Sequence, residues 1–182
     1  MKTKAIIFII AILAISIIGY KITGNAIKMD QPTKVKLQTN KGDIILELRQ
    51  DMPITAGNFE NLVKQGTYNG VIFHRIIPNF MIQGGDPTGT GMGDPNIPNI
   101  KDEFSDNNQN NRGTISMANA GPNTGSSQFF INLVDNNFLD TKHPAFGIVV
   151  EGKEVVDKIA KVEKNASDKP NEDVVINKAS II

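Results

Sequence analysis

The chain has 182 residues, enough for one domain and a short appendage. It contains no cysteine, which excludes disulfides, thiol catalysis and cysteine-ligated zinc. The formal net charge is zero but unevenly placed: Lys2, Lys4, Lys21 and Lys28 precede Asp30 without an acidic residue, so residues 30–182 carry 15 basic and 19 acidic groups, and a mildly acidic domain lacks the electrostatic footprint of a nucleic-acid binder.

Lys2 and Lys4 lead into an apolar run from Ala5 to Tyr20, interrupted only by Ser16 and Gly19. As a helix it spans about 24 Å, slightly short of a hydrocarbon core of about 30 Å. Residues 1–22 therefore read as a signal anchor, or as a signal peptide cleaved after Ala26, at the small-x-small site Gly24-Asn25-Ala26, or after Ser16. The anchor places the protein in the cell membrane as a single-pass protein with an extracytoplasmic domain; cleavage makes it secreted. Residues 23–33 are polar and read as a linker, and residues 34–182 as the globular domain.

Lys34 to Thr39 alternates, with Val35 and Leu37 on one face, and Asn40-Lys-Gly-Asp43 turns it into a return strand over 44–48. Pro53 opens a helix at a position where its missing N–H does no harm. Phe59, Leu62 and Val63 make its apolar stripe, and Gly66 ends it. Residues 72–86 form an apolar run broken at Pro78-Asn79, with one cation, Arg75, inside it. A guanidinium in an apolar strand is expensive to bury. Either it pairs with a carboxylate beneath the core or it is kept for a ligand.

Residues 84–112 are rich in Gly, Asn, Asp and Pro, and such a long stretch is either functional or wrapped over the surface. Strands follow at 113–118, 128–134, 145–150 and 174–182, with a short helix over 154–160 bearing Val155, Val156 and Ile159. The count is about eight strands and two helices. Strands joined mostly by turns point to an antiparallel barrel closed by helices.

The common catalytic chemistries find no support. Gly89-Thr-Gly-Met-Gly93 has the wrong spacing for a dinucleotide fingerprint, and Gly121-Pro-Asn-Thr-Gly-Ser126 lacks the lysine of a phosphate loop. No Gly-x-Ser-x-Gly elbow occurs. The aspartates of 86–106 are not spaced as a calcium loop, and His74 and His143 are the only histidines. No cofactor or metal is expected. What stands out is a set of amides, an arginine and a histidine among Phe and Met, an inventory suited to binding an uncharged group.

Three segments carry a resemblance. Phe73-His-Arg-Ile-Ile-Pro-Asn-Phe-Met-Ile-Gln-Gly-Gly-Asp86 resembles the signature of cyclophilin-type peptidyl-prolyl cis-trans isomerases. Ser116-Met-Ala-Asn-Ala-Gly-Pro-Asn-Thr-Gly-Ser-Ser-Gln-Phe-Phe-Ile131 and Phe138-Leu-Asp-Thr-Lys-His-Pro-Ala-Phe-Gly147 resemble their second and third. The resemblance implies a closed eight-stranded antiparallel β-barrel capped by two α-helices, here preceded by the N-terminal hydrophobic segment. It implies acceleration of rotation about X–Pro bonds in exported or folding proteins, with proline-containing polypeptides as partners and the enzyme a monomer. The catalytic arginine falls on Arg75. The proline-ring pocket falls on Phe80, Met81, Phe130 and Leu139, the contacts to substrate on Gln83, Ala118, Asn119 and Gln128, and the pocket-edge histidine on His143. Phe138 stands at the pocket wall, where many members carry the tryptophan that hydrogen-bonds cyclosporin. Phe129 is expected in the core and His74 as a satisfied structural histidine. The competing reading is a catalytically weak proline-peptide binding or chaperone module.

Overall fold

The structure is a computed structural model that describes residues 31–182. The segment expected to act as anchor or signal peptide, 1–22, and most of the linker 23–33 lie outside the described residues.

Strands β1 (Lys34–Thr39) and β2 (Gly42–Leu48) form the expected hairpin, in register from Lys34 opposite Glu47 to Thr39 opposite Gly42. Alternation sends Val35, Leu37, Ile44, Leu46 and Leu48 inward, where each is essentially buried. Helix α1 (Pro53–Lys64) begins on proline, as expected, and has no side-chain cap from its own N-cap residue. Its first free amides are satisfied from a distance: Ile54 N and Thr55 N donate to Glu103 Oε2 at 3.0 and 2.9 Å. A carboxylate there also suits the positive end of the helix dipole. Gly66, at φ +75°, ends the helix in a conformation that glycine adopts without cost.

The remaining elements are β3 (Val71–Ile72), β4 (Arg75–Ile77), β5 (Met81–Gly84), β6 (Thr114–Met117), β7 (Phe129–Asn132), β8 (Ala145–Glu151), α2 (Lys153–Ile159) and β9 (Val175–Ile181). They make one sheet in the order β3-β9-β1-β2-β8-β6-β7-β5-β4, every pairing antiparallel. This corrects the expected closed eight-stranded barrel. The sheet has nine strands and curls into a half-barrel whose ends, β3 and β4, do not pair with each other.

The reason lies in residues 71–77. The run that reads as one strand in sequence is two short ones, parted at Phe73-His74. β3 pairs only with β9, and β4 only with β5. Between them Phe73 N donates to Val174 O and Ile76 N to Asp168 O. Single hydrogen bonds to the 168–174 segment thus stitch the seam where a ladder would close a barrel. The main core fills the concave side: Phe59, Tyr68, Phe73, Phe129 and Phe146 are fully buried, and Phe59 and Phe73 meet Phe129 edge-on at 5.5 and 6.1 Å.

Candidate active site

A strand with period two serves two surfaces. In β4, β5, β7 and β6, the row Ile76–Ile82–Ile131–Ile115 runs across the sheet in register and belongs to the main core. The alternate row, Arg75–Gln83–Phe130–Ser116, runs beside it. Together with Met81, two residues from Gln83, it faces the other way. There Met81, Phe130 and Leu139 form a second, smaller apolar cluster, against which Ile77, Phe80 and Ala118 pack. Phe129 sits in the main core and Phe130 in this cluster, so neighbouring aromatics part to opposite faces.

The second cluster is the floor of a pocket of about 260 Å³ lined by Arg75, Phe80, Met81, Gln83, Ala118, Asn119, Phe130, Leu139 and His143. The structure thus brings together nine of the eleven residues singled out from sequence. Gln128 lies outside this lining and walls an adjoining cavity of about 460 Å³, which shares Gln83, Ala118 and Asn119 with the first. Phe138 does not line the pocket. It is 67% exposed and stacks on Phe80, ring centres 6.0 Å apart, extending the apolar rim outward.

Arg75 is exposed, contrary to the buried guanidinium suggested by its apolar surroundings. β4 is a three-residue edge strand, and Arg75 projects from the face opposite the main core. Among the described residues no carboxylate pairs with its guanidinium, which makes no hydrogen bond. The amides beside it are ordered by a relay. Gln83 Nε2 donates to Gln128 Oε1 at 2.9 Å, and Gln128 Nε2 donates to Gly91 O at 3.0 Å. Gln83 Oε1 is left as the open acceptor. The Asn119 side chain is spent within the protein, donating from Nδ2 to Lys142 O of the neighbouring loop at 2.8 Å and accepting from Gly121 N of its own loop at 3.3 Å, so any role for Asn119 toward a ligand falls to its backbone. His143 Nδ1 lies 3.0 Å from Met117 O. A carbonyl only accepts, so Nδ1 carries the hydrogen. The ring meets Phe130 edge-on at 5.3 Å.

Sequence reasoning left the loop after β5 without a centre, and the structure supplies Asp86. This fully buried carboxylate accepts from Thr88 N and Oγ1, Gly91 N and Gly93 N at 2.7–3.1 Å. Burial opposes its charge, but the hydrogen bonds from Thr88, Gly93 and Gly91 outweigh that and hold the carboxyl below its ordinary range. The cue was an aspartate followed by a glycine- and threonine-rich stretch, the composition of a side-chain-to-backbone turn. His74 is buried as expected but not satisfied: neither ring nitrogen has a hydrogen-bond partner. Burial pushes its pKa down, against the opposing pull of Asp86, so the ring stays neutral.

A family model described as "Cyclophilin type peptidyl-prolyl cis-trans isomerase/CLD" matches residues 34–181. The chain belongs to the cyclophilin-type peptidyl-prolyl cis-trans isomerase family. The peptidyl-prolyl cis-trans isomerase ppi1 of Schizosaccharomyces pombe is 51% identical over 149 residues, covering 80% of this chain and 96% of that relative. The human peptidyl-prolyl cis-trans isomerase-like 1 is 48% identical over 153 residues, covering 82% and 92%. A longer Streptococcus pyogenes relative is 48% identical over 177 residues, and the chain spans 37% of it. Among solved structures, a Cryptosporidium parvum cyclophilin type isomerase studied in the presence of the dipeptide Ala-Pro superposes with a TM-score of 0.78 at 35% identity, covering 82% of this chain and 98% of that one. This cyclophilin domain is accordingly a peptidyl-prolyl isomerase of the EC 5.2.1.8 kind.

The expected single-pass membrane location is corrected. Among the described residues no helix is long and apolar enough to cross a membrane. The relatives that match are peptidyl-prolyl isomerases, and they match over the β-sheet domain. The apolar run on which that expectation rested lies outside the described residues.

Proposed function

We propose that the Arg75 pocket is where this isomerase works, that a prolyl ring occupies the Met81–Phe130–Leu139 floor, and that Arg75 stabilises the twisted amide. The observation that carries this reading is the uncommitted guanidinium at the rim of an apolar floor sized for a small ring.

An X–Pro bond exchanges isomers across a barrier of about 20 kcal/mol, most of it amide resonance. When the amide twists, the prolyl nitrogen regains a lone pair that the planar ground state lacks. A donor aimed there binds the transition state more tightly than the substrate. Arg75 suits the role because it stays charged and presents its donors in a rigid fork. Its exposure in the free protein means that the bound peptide itself excludes water and strengthens the interaction. Gln83 Oε1 and the Asn119 backbone hold the peptide while the acyl side turns. An acceleration of about 10⁵-fold needs about 7 kcal/mol. A charge-assisted hydrogen bond with preorganised binding can provide it without covalent chemistry.

The substrates are then polypeptide segments with accessible X–Pro bonds, folding chains among them. The test is relaxation of an Ala-Pro peptide between isomers in the presence of the full chain. Acceleration that Arg75→Ala abolishes supports the reading. Acceleration unaffected by that change excludes Arg75 from the mechanism, and tight peptide binding without acceleration would make the domain a binding module.

A further inference from the structure

The walls of the pocket come from segments that no strand ladder holds together. Phe80 sits in the turn between β4 and β5, where Asn79 takes φ +58°. Leu139 ends a 3₁₀ turn (Asn137–Leu139), and His143 follows in a loop. Beneath them lie three asparagines, Asn110, Asn132 and Asn136, only 0, 1 and 3% exposed. Buried amides are tolerated only when bonded, and these bond to one another and to both walls. Asn136 Nδ2 donates to Phe80 O at 2.9 Å and to Asn132 Oδ1 at 2.8 Å. Asn132 Nδ2 in turn reaches Thr114 Oγ1 at 2.9 Å, and Asn110 Oδ1 and Ser116 Oγ at 3.3 Å. Asn110 Nδ2 donates to Asp140 Oδ1 and to His143 O, each at 3.1 Å, and its N–H to Asp140 Oδ1 at 2.7 Å. Asn136 N closes the circuit on Asn110 O at 2.8 Å.

We propose that Asn110, Asn132 and Asn136 act as one positioning unit that sets the gap between the Phe80 wall and the Leu139–His143 wall, and so fixes the fit of the prolyl ring. The inference rests on the reading of this pocket as the prolyl site. None of the three asparagines lines the pocket, so they act through the residues they hold and are positioning residues. Each amide donates to one wall or to the next asparagine, so the loss of any one frees both ends. A hydrogen-bond circuit in a low-dielectric interior behaves cooperatively in this way.

The experiment uses the full chain with Asn136→Ala, Asn110→Ala and the double change. Each single change lowers kcat/KM for an Ala-Pro peptide about tenfold, the scale of a small misplacement of a wall. The double change lowers it no further, since one unit cannot be broken twice. Losses that multiply in the double variant overturn the proposal, and so do single variants that keep wild-type kcat/KM. A second readout separates positioning from general loosening. Asn110→Ala shifts the Phe80 backbone amide resonance, although Asn110 makes no bond to Phe80. The milder Asn136→Ser shifts the His143 ring protons from the other end. If neither resonance moves, the unit does not exist. A wild-type chain that fails to accelerate isomerisation removes the prolyl-site reading, and the two resonances then decide the coupling by themselves.

Discussion

Arg75 and Gln83 stand directly opposite each other on β4 and β5, and only one of them is committed. Gln83 has given its amide nitrogen to Gln128, while the Arg75 guanidinium bonds nothing among the described residues. An ordered acceptor beside a free cation is a pair poised for a third partner. The carboxylate that ordinarily neutralises a strand arginine has no place in this arrangement.

Arg75→Ala therefore separates activity from stability. It is expected to lower kcat/KM about 10²- to 10³-fold, the usual cost of removing one donor matched to transition-state charge. The thermal midpoint stays within about 1–2 °C of wild type, because an exposed, unpaired side chain contributes little to folding. Arg75→Lys keeps the charge but loses the planar fork, and recovers only part of the rate. Peptide relaxation and thermal melts of the same preparations check both statements.

Phe129 and Phe130 are expected to give opposite profiles despite being adjacent. Phe129→Ala opens the main core and costs about 3–5 kcal/mol of stability, and the folded fraction that remains keeps its activity. Phe130→Ala removes the pocket floor, so activity falls at least as steeply as stability. Denaturant titration together with kcat/KM per folded molecule distinguishes the two.

Two buried groups, His74 and Asp86, shape the pH response with the same sign. His74 has a folded pKa below its unfolded one, so the folded state binds fewer protons and stability declines as pH falls below about 6.5. His74→Phe flattens that limb of the stability–pH curve. Asp86 also titrates below its ordinary range in the folded state. Its contribution is complete above about pH 4 and is lost as pH falls through the folded value. In acid the Gly91 and Gly93 amides lose their acceptor, and their hydrogen exchange is expected to rise before global unfolding. Exchange that rises only with global unfolding would show that Asp86 does not hold the loop.

Phe138→Trp tests the rim. Phe138 stacks on Phe80 outside the pocket and offers no hydrogen-bond donor. An indole N–H at that place is expected to tighten cyclosporin inhibition about fivefold, the worth of one ordinary hydrogen bond. Ala-Pro isomerisation stays within about twofold. Inhibition curves for the two proteins measure the difference.

Much of the site was legible because its residues fall in three short contiguous segments, and nine of those side chains meet in one pocket. The hairpin, both helices and the parting of Phe129 from Phe130 follow from simple periodicity. The opening between β3 and β4 was not legible. Residues 71–77 are apolar apart from His74 and Arg75 and hold no glycine or proline to mark a break, and only the pairing partners reveal two strands. The exposure of Arg75 was hidden for a related reason: its apolar neighbours belong to two different surfaces. The asparagine unit had no local signature, because it is closed by bonds between residues distant in sequence, 22 apart for Asn132 and Asn110 and 56 apart for Asn136 and Phe80.

The alternation along β4, β5 and β7 has a consequence for how the protein can change. Odd and even positions of the same strands answer to different demands: one set keeps the fold, the other lines the pocket. Substitutions can accumulate on the pocket-facing set, reshaping the pocket, while the isoleucine row beneath holds the scaffold constant. The sheet works as a page printed on both sides, and one side can be rewritten without erasing the other.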